Sequence, residues 1–346
     1  MTGVREAGAG PAHGAGRQAR AIPRGPRVPP NLFAMVFGIA GLAQAWRAAA
    51  PVLGVPQAVP GAIDLAGAVL WLVLVSAYLA QGRRVILADL RHPVLSPFVP
   101  LAAITAMLLA AALATAAFTA GRVLVMVFLA VTTILGGWLT GHWMTGGIDQ
   151  DAVHPGYFLP TVAGGLVGAY CAAAVHLHAL GEASFGIGVI CWLLLGSTIL
   201  NRLSTRPALP PALMPTMAIE IAPPAVAGLA YFALTGRAVS MVAYALAGYA
   251  VLMALAQVRL IPAYARLAFT PGFWAFTFSY SAAVADALVW IDLKRPPGAS
   301  GYAVVIIALL TGFIAWIAAR TAVLAIRGQL FPAWPQPAQL APTQPT

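Results

Sequence analysis

Ten long apolar runs alternate with short polar connections along the chain, at approximately 30 to 50, 61 to 82, 97 to 118, 122 to 143, 158 to 178, 183 to 203, 213 to 235, 238 to 258, 269 to 291 and 301 to 326. Each approaches the twenty or so residues a helix needs to cross the hydrocarbon core of a bilayer. The pattern predicts an all-α polytopic membrane protein with ten transmembrane helices over 30–327. Residues 1–29 hold Arg5, Arg17, Arg20, Arg24 and Arg27 among Gly, Ala and Pro, with no apolar run, and are expected to form a disordered basic tail. The run that follows is too long for a signal peptide and lacks a clear small-residue cleavage site, so it reads as the first span. A Pro-rich tail, 328–346, ends the chain.

Proline divides the ten segments into two classes. Every odd segment contains or opens on one: Pro30, then Pro97 and Pro100, Pro160, then Pro215, Pro223 and Pro224, and finally Pro271, whereas the even segments as drawn have none. Proline removes a backbone donor and clashes with the carbonyl four residues back. The freed backbone groups are tolerated at membrane depth only against protein or a watery cavity. The odd helices are therefore expected to be kinked and central, and the repeat of about sixty residues reads as five helical hairpins. The expected arrangement is five kinked inner helices around a central pore, ringed by five outer ones.

Composition agrees with the spans and excludes other classes. The 346 residues are 61% hydrophobic and 8% charged, against roughly 25% charged in a typical soluble domain. The net charge of +10 does not indicate nucleic acid, because the basic residues are scattered near segment ends rather than gathered into one patch. Most of them fall on the side that holds the N-terminal tail, with Arg83, Arg84, Arg91, Arg202, Arg206, Arg259, Arg266, Arg320 and Arg327, while Arg47, Arg122, Arg237, Lys294 and Arg295 fall opposite. Positive-inside then predicts an inner (plasma) membrane protein with both termini cytoplasmic.

Candidate chemistry is sparse. At about 100° per residue, the face of the ninth segment that carries Phe278 also carries Pro271, Ala275, Ser281, Ala282 and Ala285, one bulky ring above a column of small side chains. A ring projecting into such space closes a passage as a hydrophobic constriction does; the competing reading makes Trp274, Phe276 and Phe278 lipid-facing or packing aromatics. Glu220 and Asp286 lie inside odd segments, where an ionisable residue is a functional candidate by default, with interhelical hydrogen bonding as the alternative. Either acid is a candidate proton or polar site. His176 and His178 diverge on a helix at i, i+2, and His142 and His154, with Asp149 and Asp151, read as solvated loop and helix-end residues without a third clustered ligand. Cys171 and Cys191 fall inside spans and read as core residues. No metal site, cofactor site, phosphate-binding loop or converging catalytic set is expected, so the chain reads as a non-enzyme whose transport is passive or gradient-driven.

Six stretches together resemble the tellurite-resistance/C4-dicarboxylate transporter family, which includes bacterial TehA and the plant guard-cell slow anion channels: NLFAMVFGIAGLAQAWR from Asn31, RHPVLSPFVPLAAIT from Arg91, HPGYFLPTVAGG from His154, FGIGVICWLLLGSTILNRL from Phe185, PTMAIEIAPPAVAGLAY from Pro215 and GFWAFTF from Gly272. The resemblance implies ten helices in five quasi-fivefold hairpins, one pore per subunit and a homotrimer. It implies that Phe278 is the pore gate and that Gly38 leaves room beside it. The candidate lining is Phe33 and Gly38 in the first segment, Pro160 in the fifth, Pro223 in the seventh, and Ser281 and Ala282 in the ninth. The implied permeants are small anions: chloride, nitrate, sulfite, a dicarboxylate or tellurite. The chain departs from the plant members in having Ser279, not proline, after the gating ring. Two functions follow as expectations: an anion channel or facilitator occluded by Phe278, or a proton-coupled C4-dicarboxylate or sulfite transporter using Glu220.

Overall fold

A computed structural model describes residues 27–146 and 148–330. Most of both predicted tails lies outside the described residues. Among the described residues, ten helices are long and apolar enough to cross a membrane: Pro30–Leu53, Ala58–Ala80, Ser96–Leu113, Phe118–Met144, Pro155–Ala174, His178–Thr205, Met214–Leu234, Met241–Tyr264, Pro271–Lys294 and Ala299–Ile326. They are the first to tenth spans below.

Burial separates the two classes that proline suggested. Between 50% and 78% of the most apolar stretch of each odd span is buried, against 11% to 28% for the even spans. The even spans turn Leu65, Ile134, Leu193, Leu255 and Leu309 outward, as side chains facing lipid do. Each odd span packs on the next odd one, and the ninth closes back on the first, its most extensive neighbour. Consecutive odd and even spans also pack against each other.

The prolines act at the start of the inner spans. All five odd spans open with a tighter or looser turn before the α-helix proper: Pro30–Leu32, Ser96–Phe98, Pro155–Phe158, Met214–Ile221 and Pro271–Phe273 are 3-10, and Leu159–Ala163 is a π turn. Each opening places a proline in its first two positions, where the missing N–H would have no helical partner. The proline rule for even spans needs correction. Pro60 lies in the first turn of the second span and Pro262 near the end of the eighth. Both sit close to helix ends, outside the apolar runs 61–82 and 238–258.

Small residues set the distance between spans. A Cβ on Gly165 of the fifth span would lie 2.6 Å from the Gly188 backbone nitrogen of the sixth, and one on Gly121 of the fourth would lie 2.6 Å from the Ala114 Cα. Backbones in membranes pack this closely only through small residues.

Three connections differ from their sequence reading. The basic turn after the second span is a nine-residue helix, Arg83–Arg91, with Asp89 and Leu90 buried beneath it. Asp89 pairs with Arg27 and accepts 3.1 Å from the Tyr78 hydroxyl. His154 is fully buried rather than solvated: its Nδ1 accepts from the Gly156 N–H at 3.1 Å, and Nε2 lies 3.3 Å from the Val94 carbonyl. A neutral imidazole protonated at Nε2 satisfies both. Burial pushes its pKa down from 6.5 to about 4, against an upward pull from the Val94 contact. His176 adopts φ 59° in the turn before the sixth span, and His178 begins that span, so the two do not share a helix.

Candidate functional site

Two cavities lie inside the ring of odd spans, and all five spans line both. The first, about 40 Å³, sits toward the N-terminal ends of those spans, among Phe37, Phe98, Phe158, Pro223 and Phe278, with Ser279 as its only hydroxyl. The second, about 240 Å³, sits toward their C-terminal ends and adds Gln44, Arg47, Tyr170, Arg237 and Asp292 to an apolar wall. Water needs polar partners as well as room. The small apolar cavity is therefore suited to stay dry and the larger one to hold water.

Phe278 lines both cavities. Its ring is 9% exposed and stacks on Phe37 of the first span, with centroids 3.5 Å apart and planes at 13°. Sequence reasoning missed Phe37. It falls one turn after Phe33, and no property of the sequence distinguishes the two rings.

The glycine beside Phe278 is Gly41. A Cβ there would stand 3.0 Å from Phe278 Cδ2 and 3.0 Å from Ser281 Cβ. Gly38 serves another contact: a Cβ at that position would overlap the Thr277 side chain, reaching 2.6 Å from its Cβ. Thr277 donates to the Trp274 carbonyl at 2.8 Å, and the Trp274 indole donates to Thr321 at 2.9 Å. Gly38 therefore lets the first and ninth spans approach, while Gly41 makes room for the ring.

The remaining candidates divide. Pro223 lines the first cavity and Ala282 the second. Phe33, Pro160 and Ser281 line neither. Phe33 packs edge-on against Tyr78 of the second span at 5.6 Å, the Pro160 carbonyl faces Gly136 of the fourth, and Ser281 is fully buried beside Gly41. Ser279 takes Ser281's expected place at a cavity wall, and its hydroxyl donates 3.1 Å to the Ala275 carbonyl.

Neither acid lines either cavity. Glu220 lies on the 3-10 opening of the seventh span, within electrostatic reach of Tyr249 and Tyr264 on the eighth. Asp286 faces Gly228 of the seventh span, where a Cβ would meet Oδ1 at 2.5 Å. One oxygen of each carboxyl, Glu220 Oε1 and Asp286 Oδ1, is buried without a hydrogen bond. Among the described residues, no group of His, Cys, Asp or Glu is arranged to hold a metal ion.

The larger cavity is edged with charge. Arg47 pairs with Asp64 of the second span, and Asp292 pairs with both Arg237, at 2.6 Å, and Arg295. Arg295 also donates 3.0 Å to the Pro51 carbonyl, tying the end of the ninth span to the end of the first.

Comparison with known proteins supplies the family. The chain is 26% identical over 297 residues to a protein of Haemophilus influenzae named tellurite resistance protein TehA homolog, covering 83% of this chain and 88% of that relative. Residues 27–322 match the family model SLAC1, described as voltage-dependent anion channel. The chain therefore belongs to the SLAC1 family, a family of anion channels and transporters rather than enzymes.

Proposed function

We propose that the chain is a gated anion channel in which the Phe278 ring, held against Phe37, closes a pathway that runs between the inner spans. One observation carries this reading: among the described residues, Phe278 is the one aromatic side chain that borders both cavities. An anion leaving the larger cavity meets a stacked aromatic pair and then a small apolar space, which together form a desolvation barrier. The fivefold wall of same-direction helices supports a pathway along their common axis. The basic residues near the ends of the spans support a plasma-membrane location with cytoplasmic termini, and the homotrimer is an expectation from the family resemblance. Chloride and nitrate are the first permeants to test.

A proton-coupled carrier is the second reading, supported by the unpartnered carboxyl oxygens of Glu220 and Asp286. It is the weaker one, because both acids lie off the cavities. The deciding experiment is chloride and nitrate flux into proteoliposomes containing the parent protein or Phe278→Ala, with and without a proton gradient. The channel reading expects truncation of the ring to raise flux at least tenfold regardless of the proton gradient, since tenfold corresponds to only about 1.4 kcal/mol of barrier. Unchanged flux in Phe278→Ala, or flux that requires a proton gradient and disappears in Glu220→Gln, rejects it.

A further inference from the structure

The two cavities differ sharply in chemistry. The smaller offers an anion no charged donor, whereas the larger gathers Arg47, Arg237, Gln44, Tyr170 and Asp292 around one space. Its volume of about 240 Å³ is many times the 10–15 Å³ or so that one water requires, so a small anion fits with part of its hydration shell.

Two donors there have capacity to spare. Arg47 Nη1 is buried with no hydrogen-bond partner, although the same guanidinium is paired with Asp64 through Nη2. The Tyr170 hydroxyl donates 3.1 Å to Gln44 Oε1, which turns the Gln44 carboxamide so that its donor nitrogen is left for another acceptor. At the rim, Arg237 and Arg295 share the single carboxylate of Asp292. Within this paired group, three guanidinium groups against the two carboxylates Asp64 and Asp292 leave one net positive charge. That matches one monovalent anion.

Asp292 lines the same cavity and is itself an anion bound to the rim arginines. We propose that the larger cavity holds a binding site for a small monovalent anion, made by Arg47, Arg237 and the Gln44 amide, and that the Asp292 carboxylate is a tethered competitor that occupies Arg237 until a free anion displaces it. The site rests on the anion-channel reading for its purpose, but it is testable by binding alone. It makes Asp292 a brake on anion affinity instead of a structural acid.

The test pairs binding with flux on the full chain. Nitrate is titrated against the purified protein in detergent, reading the shift in thermal midpoint, for the parent, Asp292→Asn, Arg237→Gln and Arg47→Gln; each change is then placed in Phe278→Ala for nitrate flux in liposomes. Asp292→Asn is expected to lower the half-saturating nitrate concentration about fivefold, the upper end for an exposed ion pair. Arg237→Gln is expected to raise it roughly tenfold, as for loss of a charge-assisted hydrogen bond. Arg47→Gln is expected to act in the same direction as Arg237→Gln, and Arg237→Gln stands as the test if Arg47→Gln does not fold. Weaker or unchanged nitrate binding in Asp292→Asn overturns the competitor role, and unchanged binding in Arg237→Gln overturns the site. Nitrate binding with these sensitivities, but no flux in Phe278→Ala, supports the site while rejecting the gate. Flux in Phe278→Ala that ignores all three substitutions does the reverse.

Discussion

If Phe37 is the seat against which Phe278 closes, replacing Phe37 with leucine should open the pathway without emptying it. Leucine keeps an apolar side chain of moderate size at a cavity wall and removes the stacked ring 3.5 Å from Phe278. An aromatic pair contributes about 0.5–1.5 kcal/mol beyond the area it buries. Taking about 1 kcal/mol as the loss, the balance between closed and displaced ring moves toward displaced by a factor of about five. Nitrate flux in proteoliposomes at matched protein density should therefore rise about fivefold in Phe37→Leu. Phe278→Ala should exceed this, because it removes the obstruction itself. In the double variant, Phe37→Leu should add little to Phe278→Ala, since the seat has no ring left to hold. A fully additive double variant, or a Phe37→Leu flux equal to the parent's, would refute the two-ring closure. Phe37→Leu outperforming Phe278→Ala would move the obstruction to the first span.

Two further predictions concern the polar clamps beside the spans. Asp89 holds both Arg27 and the Tyr78 hydroxyl at 1% exposure, so Asp89→Ala should destabilise the protein by about 3 kcal/mol and Asp89→Asn by less, read from thermal unfolding in detergent; an alanine variant as stable as the parent refutes the clamp. His154 remains neutral in the folded protein down to a pKa of about 4, against an ordinary 6.5. Its contribution to stability is therefore complete above pH 6.5 and falls as the pH drops toward 4, by about 3 kcal/mol over that window. The thermal midpoint of the parent should fall more steeply over this range than that of His154→Asn, and parallel pH profiles would refute the assignment.

The ten spans were legible because crossing a bilayer imposes a length and a composition that no local contact overrides. The inner and outer classes were legible through proline, since the irregular backbone it causes has to be buried in protein, and Pro30, Pro97, Pro160, Pro215 and Pro271 all mark the openings of inner spans. Phe278 was legible as a ring above small residues. The sequence could not decide which side chains share its space. Phe278, Ser279 and Ser281 all lie on the regular helix Trp274–Lys294, so their relative angles follow from the sequence. Which flank of Phe278 turns to the cavity is set by packing: Ser281 is pressed against Gly41 of the first span, and Ser279 reaches the cavity wall. The same limit applied to the first span, where crossing geometry set Gly38 against Thr277 and Gly41 against Phe278.

The burial of His154 and the meeting of Arg237, Asp292 and Arg295 depend on residues far apart in the chain or on packing around a connection, to which hydrophobic periodicity is blind. The sequence by itself thus determined the solvent, the number of crossings and which helices lie inside. Tertiary structure decided the helix phases, the pairing of Phe37 with Phe278 and the separation of an apolar cavity from a charged one, because those depend on how neighbouring backbones cross.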